Sequence, residues 1–438
     1  MDAKLTSALQ LEEKRAFARR LMRERDLQAR PVSSTSDLPP SHYDFDYHPV
    51  LLSVWARSDG AEQAYFRVHD GIAADTTSIA GHDYLNFTNY NYLGLSGHPA
   101  VAQAVAEAVA KYGSSVSASR LVGGERPIHR ELEYTLADML DTEDCLTFVS
   151  GYSTNAFTLS HLFGPKDLIL HDGLIHNSVL VGAIQSGARR IAFRHNDWQS
   201  VDDLLTRHRR EYERVVIVVE GIYSMDGDYP DLPRFVEIRN RHKVFLMVDE
   251  AHSMGVMGAR GFGVREHFGI AGRDVDIWMG TLSKSFASCG GYIAGRRSLI
   301  LSLRYGAPGF IFSAGLTPGN TAAALAAIGV MKSEPQRVKR LQDRGRFFLN
   351  RARERGLSVG NATGYALVPV MTGTTKKSLA MTQALFRRGI NVQPIIYPAV
   401  EENAGRLRFF VSSEHTEAQI DQSVDIVAQE WRKVNEAS

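Results

Sequence analysis

The sequence predicts an α/β protein in which a large domain with a mostly parallel sheet precedes a smaller α+β domain. From about residue 46, short apolar runs alternate with segments of helical length, which is typical of βαβ units. After about residue 320 this alternation gives way to a helix-rich stretch followed by three apolar runs. The chain has 438 residues, 44% of them hydrophobic and 23% charged, so it can bury the cores of two such domains.

Nine apolar runs have the length and character of strands. In the large domain they are DCLTFVS, DLILHD, RIAFRH, RVVIVVEG, VFLMVDE and DIWMG, and near the C-terminal end they are ALVPVMTG, NVQPIIYPAV and RLRFFVS. The most apolar stretch, VVIVV at 215–219, is far shorter than the roughly 18 residues that would indicate a transmembrane helix. We therefore expect no membrane span.

The first 45 residues differ from the rest of the chain. An apolar stripe predicts a weakly amphipathic helix there, and the stretch PVSSTSDLPPS predicts a linker; the stripe consists of Leu5, Leu9, Phe17 and Leu21. Residues 14–30 hold seven basic and two acidic side chains. This helix is predicted either to lie, solvated, on the protein body or a partner subunit, or to dock an acidic partner.

These changes of pattern define four predicted parts of the chain. They are a basic helix and linker over residues 1–45, an N-terminal segment over 46–105, a large domain over 106–320 and a small domain over 321–438. No internal repeat or low-complexity segment suggests a different organisation, such as a repeat array.

The charge balance and the two cysteines argue against several classes of protein. Lys and Arg total 50 against 49 Asp and Glu, and the resulting net charge of +1 gives no general electrostatic reason to bind nucleic acid or an anionic membrane. Cys145 and Cys289 stand in distant contexts, which predicts no disulfide framework and suits a reducing cytosol. The first residues lack the pattern of a secretory signal, so a cytoplasmic protein is expected.

Two segments that follow predicted strands carry residues suited to catalysis. Lys284, in Gly-Thr-Leu-Ser-Lys-Ser-Phe, is expected to be desolvated at the carboxyl edge of the sheet, which would lower its pKa and make it a nucleophile. Asp249 and His252, in Val-Asp-Glu-Ala-His, follow another strand. There the acid can pair with a cationic ring nitrogen, and the histidine can reach the same ligand.

A third segment, Phe-Val-Ser-Gly-Tyr-Ser-Thr-Asn at 148–155, predicts a strand, a glycine-containing turn and the start of a helix. Such a turn directs backbone N–H groups at an anion, and a phosphate is the usual occupant. The three segments therefore predict one site that binds a phosphorylated ring compound next to a reactive lysine.

Three alternative interpretations have less support. Asp-Glu-Ala-His also occurs at a strand end in helicase-type ATPases, but this chain has no Gly-Lys dipeptide for their phosphate-binding loop. No metal site is predicted, because no HExxH or paired-cysteine spacing involves the interior-looking histidines His171, His176, His195 and His252. The glycines of GARGFG at 258–263 are in the wrong order for a dinucleotide-binding loop and predict a turn.

From about Tyr65 onward the chain resembles the α-oxoamine synthases, a family of pyridoxal phosphate enzymes that includes serine palmitoyltransferase and 8-amino-7-oxononanoate synthase. The resemblance rests on NYNYLGLSGHP, YGSSVSASRLVGGERPIHRELE, FVSGYSTN, HDGLIHNS, FRHND, EGIYSMDGD, VDEAHSMGV, GTLSKSF, FIFSAGLTP, and YPAV with GRLR. It implies the aspartate-aminotransferase-like fold, known as fold type I, with the cofactor bound by residues 106–320. The run SFASCGGYIAG is similar to members associated with polyketide assembly lines.

The resemblance also implies roles around pyridoxal 5′-phosphate. Lys284 would form the covalent link to the cofactor, Asp249 would pair with the ring nitrogen, and His176 would stack on the ring. With His252, these are the expected catalytic residues. The other expected cofactor-binding residues are Gly151, Tyr152, Ser224, Thr281 and Ser313, the last of which would reach the phosphate of the other subunit. Arg408, helped by Asn91, would bind the amino-acid carboxylate.

The implied activity is that of an acyltransferase in lipid or secondary-metabolite biosynthesis. It would condense an amino acid with an acyl thioester, release carbon dioxide and yield an α-amino ketone. The donor would be acyl-CoA or an acyl carrier protein, and the basic N-terminal segment favours the carrier protein. A homodimer with shared active sites is expected. The alternatives are an aminotransferase or aldolase of the same fold, acting without a thioester, and a non-catalytic scaffold.

Overall fold

The computed structural model describes residues 64–436. The helix and linker predicted for residues 1–45, and residues 46–63 of the segment that follows, lie outside the described residues. The strands are, in chain order, β1 (Thr76–Ile79), β2 (His82–Asn86), β3 (Asp144–Phe148), β4 (Leu168–Asp172), β5 (Arg189–Phe193), β6 (Val215–Glu220), β7 (Phe245–Asp249), β8 (Ile277–Thr281), β9 (Gly291–Gly295), β10 (Leu367–Gly373), β11 (Ile390–Asn391), β12 (Gln393–Ile395) and β13 (Gly405–Phe410).

The α-helices of the described residues alternate with these strands over most of the chain. They are α1 (Pro99–Tyr112), α2 (Pro127–Leu140), α3 (Gly151–Leu162), α4 (Asn177–Gln185), α5 (Trp198–His208), α6 (Leu232–His242), α7 (Gly263–Phe268), α8 (Arg297–Gly306), α9 (Pro308–Ile311), α10 (Pro318–Ser333), α11 (Gln336–Glu354), α12 (Thr375–Arg387) and α13 (Glu417–Glu436). Within residues 64–436, no helix combines the length and the apolar character needed to cross a membrane.

The large sheet has seven strands in the order β3-β9-β8-β7-β6-β4-β5. Strands β5, β4, β6, β7 and β8 run parallel to one another, whereas β9 runs antiparallel to both β8 and β3. The mostly parallel sheet is confirmed, and each of the six runs predicted for the large domain forms one of its strands. Strand β9 was not predicted, because its sequence Gly-Tyr-Ile-Ala-Gly is short and carries a glycine at each end.

Strand β6 shows why these runs are continuously apolar. Val215, Ile217 and Val219 belong to one core cluster, whereas Val216 and Val218 belong to another. Since successive side chains point to opposite faces, both faces of the sheet are covered, and every residue of this strand is buried. A strand with one solvated face would instead alternate apolar and polar residues.

The C-terminal part has its own sheet and core. Strands β10, β13 and β12 form an antiparallel sheet on the three predicted runs. Its core cluster includes Val368, Leu407 and Phe409 of the sheet together with Phe348 of α11 and Val424 of α13. The boundary predicted at residue 320/321 stays a prediction. A further small sheet, β1-β2-β11, pairs two strands near residue 80 with a strand near residue 390 and was not predicted.

The strand directions place several chain segments at one edge of the large sheet. Strands β4, β6, β7 and β8 end at this edge because they are parallel. Strand β3 ends there too, since it is antiparallel to β9, which is itself antiparallel to β8. Open α/β sheets bind ligands outside the carboxyl ends of their strands, so this edge is where a site is expected.

Candidate active site

A cavity of about 350 Å³ lies at the carboxyl edge of the large sheet. Its lining brings together nine of the residues predicted from the sequence: Gly151, Tyr152, His176, Ser224, Asp249, His252, Thr281, Lys284 and Arg408. They come from the ends of β7 and β8, from turns that follow strands, from helix α3 and from strand β13. Segments that are far apart in the sequence therefore meet in one site.

Lys284 lies on the loop that joins β8 to β9. The antiparallel pairing of these strands holds both ends of the loop, and Leu282 N donates a hydrogen bond to Gly290 O at 2.9 Å. Burial lowers the pKa of the Lys284 amine to about 8, although Asp249 and Glu220 oppose this shift. A substantial fraction of the amine is therefore neutral near pH 8, and it can act as a nucleophile or a base.

Asp249 ends strand β7 and is 3% exposed. Each of its carboxylate oxygens accepts a hydrogen bond: Asn155 Nδ2 donates to Oδ2 at 2.8 Å, and Ala251 N donates to Oδ1 at 2.9 Å. These two bonds fix the orientation of the side chain in the cavity wall. An acid held in this way is suited to pairing with a cationic ring nitrogen.

His252 is held by a buried tyrosine. Tyr92 Oη lies 2.7 Å from His252 Nδ1, and both side chains are almost completely buried. Burial, reinforced by the positive charges of Lys284 and Arg408, lowers the pKa of His252 well below its usual range. The imidazole is therefore neutral at physiological pH, so it contributes hydrogen bonds to a ligand rather than a charge.

His176 lies in the turn between β4 and α4. Its ring Nδ1 lies 2.7 Å from Ser178 Oγ, and its backbone N–H donates to Glu220 Oε1 at 2.7 Å. The rings of His176 and Tyr152 pack edge to face, with their centroids 6.2 Å apart. Ser178 thus holds the imidazole ring and Glu220 holds the backbone of His176, and together they orient this residue in the cavity wall.

The first turn of α3 forms another part of the cavity wall. At Gly151 a Cβ atom would lie 2.8 Å from Thr281 Oγ1, so only glycine allows the helix to start this close to β8. The side chain of Ser150, the N-cap residue of α3, makes no capping hydrogen bond to the described residues. Backbone N–H groups of this turn remain available to an anion, and the side chains of Thr281 and Ser283 lie beside them in the lining.

Arg408 reaches the cavity from strand β13 of the C-terminal sheet. One guanidinium nitrogen, Nη1, donates to Ser224 O at 3.0 Å, and the guanidinium carbon lies 4.7 Å from the centre of the Phe410 ring. Among the described residues, Arg408 Nε is buried and has no hydrogen-bond partner. The guanidinium therefore has a donor left over, as binding of a carboxylate requires.

Two predicted site residues, Asn91 and Ser313, do not line the cavity. The Asn91 amide is used locally, since Nδ2 donates to Ala73 O at 2.7 Å and Oδ1 accepts from Leu95 N at 2.8 Å. Ser313 lies just after α9, next to Ala314, which forms a β-bridge with Ser119. The expected roles of both residues stay predictions.

The cavity also contains residues that the sequence reasoning missed, notably Tyr90, Asn155 and Glu220. Glu220 had a usable signal, because it ends strand β6 just as Asp249 ends the neighbouring strand β7. Burial, and then repulsion from Asp249, raise the pKa of Glu220 well above its usual range. Tyr90 had no such signal, although its ring centre lies 5.7 Å from Lys284 Nζ.

The second acid of Asp-Glu-Ala-His does not line the cavity. Glu250 is fully buried, accepts a hydrogen bond from Val264 N at 3.0 Å and is bonded by the Ser253 hydroxyl. Its burial raises its pKa to about 7. Glu250 thus fastens the turn before α7, and GARGFG at 258–263 lies in that turn, as predicted.

A larger cavity, of about 660 Å³, lies at the opposite edge of the sheet, where β6, β7 and β8 begin. It contains none of the predicted site residues. Two of its arginines are already paired with acids, Arg214 with Asp167 and Arg239 with Asp276. The smaller cavity is therefore the candidate active site, because the predicted lysine, acid and histidines converge there, whereas the larger one offers size alone.

Comparisons with known proteins agree with this assignment of the fold. The family described as aminotransferase class I and II matches residues 82–427. A serine palmitoyltransferase from Bacteroides ovatus is 34% identical over 371 residues, which cover 85% of this chain and 93% of that protein. An 8-amino-7-oxononanoate synthase from Thermosipho melanesiensis is 35% identical over 377 residues, which cover 86% and 96%.

Solved structures show the same relationship. A serine palmitoyltransferase from S. paucimobilis with bound PLP–myriocin aldimine has a TM-score of 0.83 and 30% sequence identity, covering 88% of this chain and 99% of that one. A serine palmitoyltransferase from Sphingomonas wittichii has a TM-score of 0.85 and 28% identity, covering 90% and 100%.

Proposed function

Because the chain belongs to the aminotransferase class I and II family and, within it, to the α-oxoamine synthases, we propose that this cavity joins a small amino acid to an acyl thioester. The protein is a pyridoxal phosphate-dependent acyltransferase. The observation that carries the proposal is the meeting of Lys284, Asp249 and Arg408 in one cavity, since these residues supply an amine, an acid and a carboxylate-binding cation. Glycine, alanine and serine are the candidate amino acids.

The residues present fit pyridoxal 5′-phosphate at three points. The open first turn of α3, approached closely by Thr281 because position 151 lacks a Cβ atom, suits the phosphate. The oriented carboxylate of Asp249 suits the ring nitrogen, and the amine of Lys284 suits the aldehyde carbon. The neutral His252 would meet the ring hydroxyl together with Ser224.

When bound, the cofactor withdraws electrons from the α-carbon of the amino acid. Lys284 then serves as the base: its neutral Nζ accepts the α-proton, and the same atom returns a proton to the product carbon. Overall, the α-carbon gains a bond to the acyl carbon and loses its carboxyl group as carbon dioxide, and the thioester sulfur leaves as a thiol. Burial of Lys284 supports this role, because it keeps a neutral fraction of the amine near pH 8.

Arg408 and His176 control the orientation of the substrate. The spare Nε–H of Arg408 would donate to the amino-acid carboxylate, while Nη1 remains bonded to Ser224 O. The imidazole of His176, held by Ser178 and Glu220, would cover the face of the cofactor ring. Together they would set which bond of the α-carbon stands perpendicular to the ring, and this geometry selects the reaction.

An assay of both products tests this function. The purified holoprotein, given glycine, L-alanine or L-serine with an acyl thioester, should release thiol and carbon dioxide in equal amounts, and only when both substrates are present. Lys284→Ala should abolish the release, whereas Lys332→Ala, on the surface of α10, should not. Conversion of the amino acid without release of thiol would favour an aminotransferase or aldolase instead.

We further propose that two chains share their active sites. Val122 and Phe312 are 85% and 83% exposed and lie on segments that contact each other, and Leu121 beside them is 52% exposed. An apolar surface of this kind is typical of a subunit interface. Ser313 follows Phe312 directly and does not line the cavity of its own chain, which supports a role toward the phosphate bound by a second copy.

The acyl donor is proposed to be bound to an acyl carrier protein. The support is the basic segment 14–30, with its seven basic and two acidic side chains, because an acidic carrier would be attracted to it. This segment lies outside the described residues. The sequence EEKRAFARRLMRE within residues 12–24 also resembles linker helices beside polyketide modules.

Neutralising this segment in the full-length chain tests the donor. A variant with Arg19, Arg20 and Arg23 all changed to alanine should react more slowly with a carrier-bound acyl group and normally with the same acyl group on CoA. The control changes two exposed arginines elsewhere, Arg207 and Arg210, to alanine. Equal effects of the triple change on both donors would contradict docking at this segment.

A further inference from the structure

An imidazole outside the cavity connects two of the turns that build it. His195, which follows strand β5, lies between two acids: its Nδ1 is 2.8 Å from Asp172 Oδ1, and its Nε2 is 2.9 Å from Asp228 Oδ2. The Asp172 and Asp228 side chains are 0% and 9% exposed, and that of His195 is 20% exposed. We call these three residues the imidazole bridge. They do not line the cavity, so they can act only through neighbouring residues.

One end of the imidazole bridge holds the turn before His176. Asp172 ends strand β4, and its Oδ1 also accepts a hydrogen bond from Leu174 N at 2.8 Å. Its backbone carbonyl accepts from Ile175 N at 3.2 Å. The other carboxylate oxygen, Oδ2, accepts from Asn196 N at 2.8 Å. The segment that presents His176 to the cavity is thereby tied to the segment that carries His195.

The other end holds the turn that supports Arg408. Asp228 closes the turn 221–228, because its carbonyl accepts from Tyr223 N at 2.9 Å. The carbonyl of Ser224 in this turn is the acceptor for Arg408 Nη1, and Asp226 in the same turn is ion-paired with Arg406. The location of the Arg408 guanidinium therefore depends on where this turn lies.

A metal ion is the competing interpretation of this cluster. Ligand atoms of His195, Asp226 and Asp228 lie within 4.8 Å of one another. Each of these residues already has a protein partner, however: both ring nitrogens of His195 contact carboxylates, and Asp226 is bonded to Arg406. A metal would have to displace these bonds, so the geometry favours an imidazole that bridges two acids.

We propose that His195 is a positioning residue for the amino-acid substrate. By fastening Asp228 to Asp172, it holds the turn of Ser224 in the place where Arg408 can bind the substrate carboxylate. The proposal rests on the function proposed above and extends it to a residue that no substrate touches.

The charge of the imidazole explains why a histidine is suited to this position. Although burial opposes it, hydrogen bonds and attraction to Asp172 and Asp228 raise the pKa of His195 to about 10. The imidazolium form donates from both nitrogens at once, whereas a neutral imidazole donates from one. The nearby charges of Asp226 and Arg406 are paired with each other. The protonation of His195 therefore depends mainly on Asp172 and Asp228.

His195→Gln tests the proposal, because glutamine removes the charge and cannot bridge both acids. The holoenzyme variant should keep its bound cofactor and its KM for the thioester. Its dissociation constants for glycine, L-alanine and L-serine, read from the cofactor absorbance, should rise by up to ~100-fold, since small misplacements of a binding group have effects of this size. The matched control is His242→Gln, which breaks a histidine–aspartate contact with Asp202 away from the site.

A second variant covers the case in which His195→Gln does not fold. Asp228→Asn keeps the imidazole and the shape of the turn but removes one charge, and it should weaken amino-acid binding in the same selective way. In the wild-type protein, ¹⁵N NMR of the histidines should show His195 as imidazolium up to pH 9. Amino-acid binding that matches the His242→Gln control, or a neutral His195 at pH 8, would overturn the proposal. A wild-type protein that consumes no thioester would instead overturn the proposed function alone.

Discussion

The amine of Lys284 is surrounded by groups that shift its pKa in opposite directions. Burial lowers the pKa and Arg408 adds to this effect, whereas Asp249 and Glu220 raise it. The net result, a pKa of about 8, means that the folded apoprotein accepts a proton on this lysine less readily than the unfolded chain does. Reactivity is therefore obtained at a cost in stability, as is common in active sites.

The pH dependence of stability should reveal this cost. Below pH 8 the amine is charged in both states and the penalty is complete, and above about 10.5, the ordinary pKa of lysine, it is neutral in both and the penalty is absent. The Lys284→Met apoprotein should therefore exceed the wild type in free energy of unfolding by at most ~3 kcal/mol at pH 7. Urea unfolding at several pH values should show this advantage shrinking between pH 8 and 10.5. A constant difference would contradict the lowered pKa.

Arg408 has the clearest expected effect on substrate binding. Replacing it with lysine keeps a positive charge but removes the second donor, so the dissociation constant for the amino acid should rise by ~10- to 100-fold. The amount of bound cofactor should not change, because Arg408 reaches the cavity from strand β13 and is not among the residues proposed to hold the cofactor. Titration of the cofactor absorbance measures both quantities. Arg296→Lys, at the cavity on the opposite edge of the sheet, provides the control.

Single site residues could be predicted where a residue type suited to catalysis or phosphate binding stands at the end of a predicted strand. Lys284, Asp249 and Gly151 all lie at or just beyond strand ends, and the structure brings them into one cavity. Asn155 escaped prediction because it lies one helical turn inside α3, where an asparagine carries no functional signal from sequence alone. Its contact with Asp249 depends on the packing of α3 against β3, β8 and β9 of the large sheet, and this packing is a property of the fold rather than of a local pattern.

At the scale of elements, the junction between α3 and β8 shapes the part of the cavity that is proposed to bind the phosphate. The helix can begin beside Thr281 only because residue 151 has no side chain, and Gly291 on β9 makes a similar close approach to Gly151. Three chain segments therefore pack closely at this point, with the side chains of Thr154 and Thr281 beside the two glycines. Gly151 and Thr281 at this junction both line the cavity.

Gly151→Ala should disturb this junction. The added methyl would lie 2.8 Å from Thr281 Oγ1, closer than van der Waals contact allows, so either the start of α3 or the Thr281 side chain must move. Overpacking of this kind costs about 1–3 kcal/mol, which corresponds to a ~10- to 100-fold loss of cofactor affinity if the shift falls on the phosphate contacts. Equilibrium dialysis against pyridoxal phosphate measures the loss. Gly164→Ala, where nothing lies within 4 Å of the new methyl, should bind the cofactor normally.

Elements were predicted well where burial on both faces makes a strand continuously apolar, as in β6 and β7. Strand β9 escaped because its two glycines, which allow close approach to Gly151 at one end and to the Asp276 backbone at the other, remove the β-forming side chains that identify a strand. Strand β11 escaped for a different reason, since it pairs with β2 across some 300 residues of sequence and no local window contains that information. Strands β1 and β2 pair with each other locally, but their short and partly polar sequences, TTSI and HDYLN, do not form apolar runs.

At the scale of the whole molecule, the described residues form one body with more than one core. Two clusters cover the faces of the large sheet, and a third lies under the C-terminal sheet. The exposed side chains of Leu121, Val122 and Phe312 belong to none of these clusters. A partner chain that covered them would bury this apolar patch.

Phe312→Asp should therefore separate the proposed dimer. A charge at this 83% exposed position is harmless to a single chain but costly inside an apolar interface. Analytical ultracentrifugation should show the mass halved, and activity should fall because Ser313 no longer reaches a second site. Ile184→Asp, a charge placed on 58% exposed Ile184 of α4, is the control. A variant that stays dimeric, or a fully active monomer, would contradict shared sites.

The two ends of the cavity are anchored in different cores. Asp249 ends strand β7 of the large sheet and Lys284 lies on the loop between β8 and β9. Arg408 instead extends from β13, where its neighbours Leu407 and Phe409 pack in the C-terminal core. Mutations in that second core would move Arg408, the proposed ligand of the amino-acid carboxylate, and leave Lys284 and Asp249 in place. Over evolution, the choice of amino acid could thus drift through hidden substitutions far from the cavity while the chemistry of the cofactor was inherited unchanged.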